Sequence, residues 1–74
     1  EIDLVLTLPG GQLWALEIKR SSAPKLERGF HFACADLKPH KRFVVYPGDE
    51  RFPLDADTVA IGLNALAKLL EKEA

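Results

Sequence analysis

Hydrophobic and polar residues alternate strictly along the first eight positions of the chain. Isoleucine or leucine occupies every even position from 2 to 8, and residues 13–19 repeat the alternation. A period of two predicts β-strands over 1–8 and 13–19. The intervening Pro9-Gly10-Gly11 run is typical of a turn, so the two strands are predicted to form a hairpin.

The apolar spacing changes to a helical period after this hairpin. Ser22 is a candidate N-cap, and Pro24 suits a first helical turn, so we predict a helix over 24–37. Pro39 ends this helix, because the residue before a proline avoids the helical region. The apolar stripe of the helix consists of Leu26, Phe30, Ala33, Cys34 and Leu37.

The second half of the chain predicts two further strands and a closing helix. Residues 42–46 are almost continuously apolar, which indicates a strand buried on both faces, as in a parallel sheet. The strand–helix–strand unit should therefore form a parallel crossover. The remaining segments are a turn at 47–50, a loop anchored by 52–54, a strand at 58–61 and a helix at 64–73 with Leu66, Leu69 and Leu70 facing inward.

These elements give a β-β-α-β-β-α order, an α/β class with a small mixed sheet. With 74 residues, the chain is one domain over 1–74, and its 47% hydrophobic and 28% charged residues are an ordinary globular balance. It has no apolar run that could cross a bilayer, and the single Cys34 favours a reduced, cytoplasmic protein. The lack of methionine and the start inside a strand lead us to expect a fragment of a larger protein.

Basic residues are concentrated in the middle of the chain, although the net charge is −1. Such asymmetry can mark a surface that faces a polyanion such as DNA. A solvated helix face followed by a basic turn explains the pattern equally well. Residues 18–42 hold seven basic side chains, Lys19, Arg20, Lys25, Arg28, Lys38, Lys41 and Arg42, against Glu27 and Asp36.

The hydrophobic pattern also predicts the register of the hairpin. A three-residue loop at 9–11 pairs residues whose numbers sum to twenty, which keeps the leucines on one face together with Trp14 and Leu16. On the other face, Asp3 then lies opposite Glu17, with Cβ atoms ~5 Å apart. Lys19 shares the face of Glu17 because the two are two positions apart on a strand.

Two opposed carboxylates repel each other unless a positive charge lies between them. Mg²⁺ commonly takes one or two protein carboxylates and can activate water for phosphodiester hydrolysis, with Lys19 steadying the charge. A surface ion network of Asp3, Lys19 and Glu17 is the alternative, and it needs neither metal nor function.

Asp3, a β-turn and Glu17-Ile18-Lys19 at the end of an apolar strand resemble the PD-(D/E)xK nuclease superfamily. The wider run from EIDLVL through RFVVYPG looks like the DUF4143 group, a C-terminal domain that follows a P-loop ATPase domain in bacterial and archaeal AAA-type proteins. The motif's usual proline before the aspartate is replaced by Ile2.

The resemblance implies a restriction-endonuclease-like core lacking its N-terminal helix. It implies Asp3, Glu17 and the Ile18 carbonyl as Mg²⁺ ligands and Lys19 as the catalytic lysine. The basic residues that follow, of which Lys25 and Arg28 are on the predicted helix, are then candidates for contact with DNA phosphates: Arg20, Lys25 and Arg28.

Three functional hypotheses follow. The first is a Mg²⁺-dependent DNA endonuclease domain attached to an ATPase. The second is a non-catalytic domain of the same fold that binds nucleic acid or protein. The third is an assembly module, in which the exposed edge of the hairpin pairs between copies to form a homodimer.

Overall fold

A five-stranded mixed sheet with two helices forms the fold in the computed structural model, which describes residues 2–73. The strands lie in the spatial order β1-β2-β3-β5-β4. The elements are β1 (Leu4–Thr7), β2 (Leu13–Ile18), α1 (Arg28–Leu37), β3 (Lys41–Tyr46), β4 (Arg51–Pro53), β5 (Thr58–Gly62) and α2 (Leu63–Glu73).

The hairpin has the predicted register. β1 pairs antiparallel with β2, and Leu4 lies opposite Leu16 while Leu6 lies opposite Trp14, so the paired numbers sum to twenty. Gly11 N–H donates to the Leu8 carbonyl at 2.9 Å and closes the turn. The prediction from loop length and leucine pattern is therefore confirmed for the paired residues of β1.

The centre of the sheet is parallel, also as predicted. β3 runs parallel to β2 on one side and to β5 on the other. The residues from Phe43 to Tyr46 are all buried, which explains why this strand reads as an unbroken apolar run rather than an alternating one.

Each face of the sheet is covered by one helix. Leu66 of α2 packs on the face that carries Trp14 and Leu16, with Leu69 and Leu70 at its margin. On the other face, α1 supplies two buried side chains, Phe30 and Cys34, which contact Ala15 of β2 and Val44 of β3. Glu17 alternates with Leu16 along β2, so it lies on the α1 side of the sheet.

Ile2 departs from the predicted alternation. The sequence placed it with the leucines and opposite Ile18, whereas in the structure it packs against the α1 cluster on the other face. Asp3 lies in a bend before β1, and the ladder ends at the Leu4–Leu16 pair. Because the bend at Asp3 breaks the period of two, Ile2 and Leu4 do not share a face although they are two positions apart.

The first helix begins four residues later than predicted. Its N-cap residue is Glu27, which makes no capping hydrogen bond with its side chain. Ser22 does not cap a helix; instead the hydroxyl of Ser21 accepts a hydrogen bond from Ala23 N–H at 3.1 Å in a local turn. Serine side chains form such turns in competition with helix caps, and the sequence pattern cannot distinguish the two.

β4 was predicted as a loop, and the predicted order therefore lacks one strand. Its three residues pair antiparallel with β5 at one edge of the sheet. Pro53 is tolerated there because an edge strand does not need every backbone donor. Neither helix within residues 2–73 has the length and apolar character needed to cross a membrane.

Candidate functional site

Glu17 combines burial with an unused hydrogen-bonding atom. It is the penultimate residue of β2, and its side chain is 12% exposed. Its Oε2 atom is buried and has no hydrogen-bond partner among residues 2–73. Burial raises the pKa of Glu17 above its ordinary value of 4.5; the Lys19 charge opposes this rise, and the charges of Asp3 and Glu27 add to it. The site therefore contains a carboxylate held in an environment that disfavours its charge.

The Lys19 ammonium lies between two glutamates. Its Nζ donates to Glu27 Oε1 at 3.2 Å and lies 3.8 Å from Glu17 Oε2. The backbone N–H of Lys19 donates to the Val45 carbonyl at 2.8 Å, which anchors the residue just beyond the end of β2. Hydrogen bonding to Glu27 raises the pKa of Lys19, so the amine is held in its charged form.

Asp3 reaches the end of β2 in a different way from that predicted. It is not a ladder partner of Glu17; its N–H donates to the Leu16 carbonyl at 3.1 Å from within the bend. Its Oδ2 atom accepts a hydrogen bond from Ile18 N–H at 2.8 Å. Asp3 is nevertheless close enough for its charge to act on both Glu17 and Lys19.

The donor set suits a hard divalent cation with few protein ligands. Within residues 2–73, no group of three or more histidine, cysteine, aspartate or glutamate side chains is arranged to hold a metal ion. Mg²⁺ keeps several water ligands and requires only one or two carboxylates. The buried, unpartnered Oε2 of Glu17 fits this role, and Asp3, next to Ile18, would supply the second carboxylate.

The three basic residues predicted to contact DNA are all exposed. Arg20 and Lys25 lie in the connection between β2 and α1, and Arg28 is the first residue of α1. In the part of the chain that the structure describes, both ion pairs involve Lys19. The positive charges of these three residues are therefore not neutralised by an ion pair there.

Glu27 is the site residue that the sequence did not reveal. It lies eight positions after Lys19, in a segment predicted to be helical, and its contact with the ammonium depends on the path of the connecting loop. The available signal was weak, since Glu27 is merely the first acidic residue after Lys19 in a basic stretch.

We expect Glu17→Gln to stabilise the fold at neutral pH by roughly 1 kcal/mol, because it removes a charge that is poorly solvated. A carboxyl with a raised pKa binds its proton more tightly in the folded state. Folding stability should therefore fall as pH rises from about 4.5 through the folded pKa of Glu17 and stay level above it. Urea unfolding from pH 4 to 8 tests this.

In that experiment, the pH-dependent difference between wild type and Glu17→Gln isolates the Glu17 contribution from that of other groups. If Glu17→Gln were less stable than wild type at pH 7, and its stability changed with pH as steeply as that of wild type, the conclusion that the Glu17 charge is poorly solvated would be wrong. Asp36→Asn, an exposed acid on α1, serves as the control and should leave the profile unchanged.

Together, the fold and this site define a mixed α/β domain with a carboxylate–lysine cluster at the carboxyl end of a parallel strand. The chain belongs to the family described as a domain of unknown function (DUF4143), which matches residues 1–66.

Two mycobacterial proteins are similar to the chain. They are the uncharacterized protein Mb2031c of Mycobacterium bovis and the uncharacterized protein Rv2008c of Mycobacterium tuberculosis, each 41% identical over 61 residues. The match covers 82% of this chain but only 14% of each relative, so the chain spans a small part of their length. No solved structure matches the chain.

Proposed function

We propose that this chain is a nuclease-like domain of the PD-(D/E)xK type, which binds Mg²⁺ through Asp3 and Glu17 and acts in phosphodiester hydrolysis of DNA. The observation that carries the proposal is the buried Oε2 atom of Glu17, which accepts no hydrogen bond from the part of the chain that the structure describes. In longer family members, we further propose that the domain accompanies an AAA-type ATPase domain and works in the cytoplasm.

An unpartnered carboxylate oxygen is costly to bury, so we expect a bound group that offsets this free-energy cost. Leaving a buried acceptor unsatisfied typically costs about 1–3 kcal/mol, and more when the group is charged. The Lys19 ammonium is 3.8 Å away and forms its hydrogen bond with Glu27 instead. A divalent cation at this oxygen would remove the cost. Carboxyl groups whose pKa is perturbed by burial are typical of functional sites.

The position of the site in the sheet supports the same proposal. Glu17 and Lys19 lie at the carboxyl end of β2, which pairs in parallel with β3. In open α/β sheets, ligands bind outside the carboxyl ends of the strands. A hairpin followed by a helix and a parallel strand is also the arrangement that the proposed restriction-endonuclease-like core requires.

The residues of the site have distinct roles in this proposal. Asp3 and Glu17 hold the ion, and the Ile18 carbonyl is the third protein ligand. When bound, Mg²⁺ supplies an activated water and neutralises phosphate charge. Lys19 would place a positive charge beside the reacting phosphate, where it would stabilise the negative charge that develops there. Outside the site, the phosphate backbone is bound by Arg20, Lys25 and Arg28.

A Mg²⁺ titration followed by NMR tests the proposal directly. We expect the backbone amide resonances of Asp3, Glu17 and Ile18 to shift in a saturable manner, because they surround the ion. Glu17→Gln should abolish the shifts, and Asp36→Asn should leave them unchanged. Absence of saturable shifts in the unchanged protein would refute the metal site.

A second candidate function is nucleic-acid binding without catalysis. It is favoured by the small number of ligands, since Asp3 already accepts a hydrogen bond from Ile18 and no three-residue ligand cluster exists within residues 2–73. Under this hypothesis, the fold is the same and the exposed basic residues bind nucleic acid, but Glu17 has no chemical role.

For this binding module, we expect DNA affinity that survives Glu17→Ala and falls with Lys25→Ala or Arg28→Ala. Affinity falls as the salt concentration rises, and replacing a basic residue that contacts a phosphate should make the slope of log affinity against log salt less steep by about 1. Fluorescence anisotropy with a labelled duplex at several salt concentrations measures this. Lys68→Ala on α2 is the matched control, and an equal loss from all three lysine and arginine variants would indicate nonspecific attraction.

The homodimer through the edge of the hairpin stays a prediction. β1 is one edge of the sheet, and its residues Leu4 and Val5 are 44% and 43% exposed, one on each face. An apolar edge of this kind is suited to pairing with another strand.

A further inference from the structure

The Lys19 ammonium is bound more closely by Glu27 than by Glu17. The distance from Nζ to Glu27 Oε1 is 3.2 Å, within hydrogen-bond range, whereas Glu17 Oε2 is 3.8 Å from Nζ and accepts no hydrogen bond from it. Two carboxylates thus compete for one amine, and the more exposed of them, Glu27 at 56%, forms the hydrogen bond.

Local structure leaves the Glu27 side chain free for this contact. Glu27 is the N-cap residue of α1, yet its side chain makes no capping hydrogen bond with the helix. Its backbone carbonyl, by contrast, accepts the first helical bond, from His31 N–H at 3.1 Å. The helix therefore fixes the Glu27 backbone, while the carboxylate extends towards Lys19.

This competition determines whether Glu17 is available to a cation. If Lys19 formed its hydrogen bond with Glu17, the buried oxygen would be satisfied, and a metal ion would have to displace an ammonium group. A lysine ammonium is a compact point charge, so a nearby metal ion and the amine would also repel each other.

We infer that Glu27 is a positioning residue, which holds the Lys19 ammonium away from Glu17 and keeps the Glu17 carboxylate available to Mg²⁺. This inference rests on the proposed function, and it adds Glu27 to the residues that determine the metal affinity of the site. Glu27 acts through Lys19 and does not itself hold the ion.

Isothermal titration with Mg²⁺ alone tests this role. We expect Glu27→Ala to weaken Mg²⁺ binding about three- to fivefold, a modest change because an exposed ion pair is weak. Glu27→Asp keeps the charge but shortens the side chain by one methylene group, so it should also weaken binding. Asp36→Asn, which removes an exposed charge from the same helix, should have no effect.

A double-mutant comparison separates positioning from a simple charge effect. In a Lys19→Met background, Glu27→Ala should cause no further loss, because the amine that Glu27 positions is absent. The ¹⁵Nζ resonance of Lys19, recorded without metal, should shift in Glu27→Ala and Glu27→Asp as the ammonium moves towards Glu17. This signal does not depend on metal binding.

The outcomes distinguish the inference from the proposed function. If the unchanged protein binds no Mg²⁺, the proposed function fails and the role of Glu27 fails with it. If Mg²⁺ binds but Glu27→Ala leaves the affinity and the Lys19 resonance unchanged, only the inference is overturned. An equal loss from Glu27→Ala with and without Lys19, with Glu27→Asp unaffected, would overturn it too, since Glu27 would then act by its charge alone.

Discussion

Glu17→Ala is expected to lower the rate at which the protein nicks supercoiled plasmid DNA in Mg²⁺ by at least about 100-fold. Groups that only support metal ligands typically cost 10–100-fold when lost, and a direct ligand should cost more. The loss should appear in the chemical step, because the exposed residues proposed to bind DNA are unchanged. Gel analysis of relaxed and supercoiled plasmid over time measures the rate.

The control for this experiment is Glu71→Ala, which removes an exposed acid on α2 without approaching the site. Glu17→Gln should be as inactive as Glu17→Ala, and it should fold at least as stably as wild type at pH 7. This combination separates lost catalysis from lost structure. Equal nicking by wild type and both Glu17 variants would refute the nuclease proposal and leave the binding module as the better account.

Gly62→Ala is expected to destabilise the fold by at least about 3 kcal/mol, the upper range for overpacking of an interior. A Cβ atom at this position would collide with the carbonyl oxygen of Gly48 and lie 3.1 Å from the Asp49 Cα atom. Both are backbone atoms and cannot rotate away. Urea unfolding, followed by the fluorescence of the buried Trp14, measures the change.

Gly10→Ala provides a matched control. Gly10 has a φ of 91°, which strains any residue with a side chain, but open space surrounds the position where its Cβ would lie. We expect a cost of about 1–2 kcal/mol from backbone strain alone. If Gly62→Ala cost no more than Gly10→Ala, the tight contact between the end of β5 and the turn after β3 would be relaxed in solution.

Gly62 illustrates a constraint that the sequence pattern does not express. It ends β5, immediately before α2, and its N–H donates to the Glu50 carbonyl at 3.0 Å. A glycine between an apolar strand and a helix suggests a loop or cap in sequence terms. Only the approach of a segment more than ten residues away explains why a side chain does not fit.

The elements that could be predicted are those with a local cause. Alternation predicted the hairpin, the 9–11 loop predicted its register, and the apolar run at 42–46 predicted a buried parallel strand. The errors arose where neighbours outside the segment decide the structure. β4 forms because β5 offers it a partner, and residues 24–27 remain outside α1 although their spacing is helical.

For the candidate site, the sequence by itself determined that Glu17 and Lys19 share a face at the end of β2, because side chains two apart on a strand point the same way. The hairpin that the sequence predicts also brings Asp3 close to the end of β2, although from a bend before β1 and not from the strand itself. Tertiary structure alone decided the rest. It set the bend that turns Asp3 towards Ile18 and the burial of Glu17 on the face of the sheet that α1 covers. It also brought Glu27 into contact with Lys19. These depend on where a loop and a helix pack in space, and periodicity along a chain carries no information about such packing.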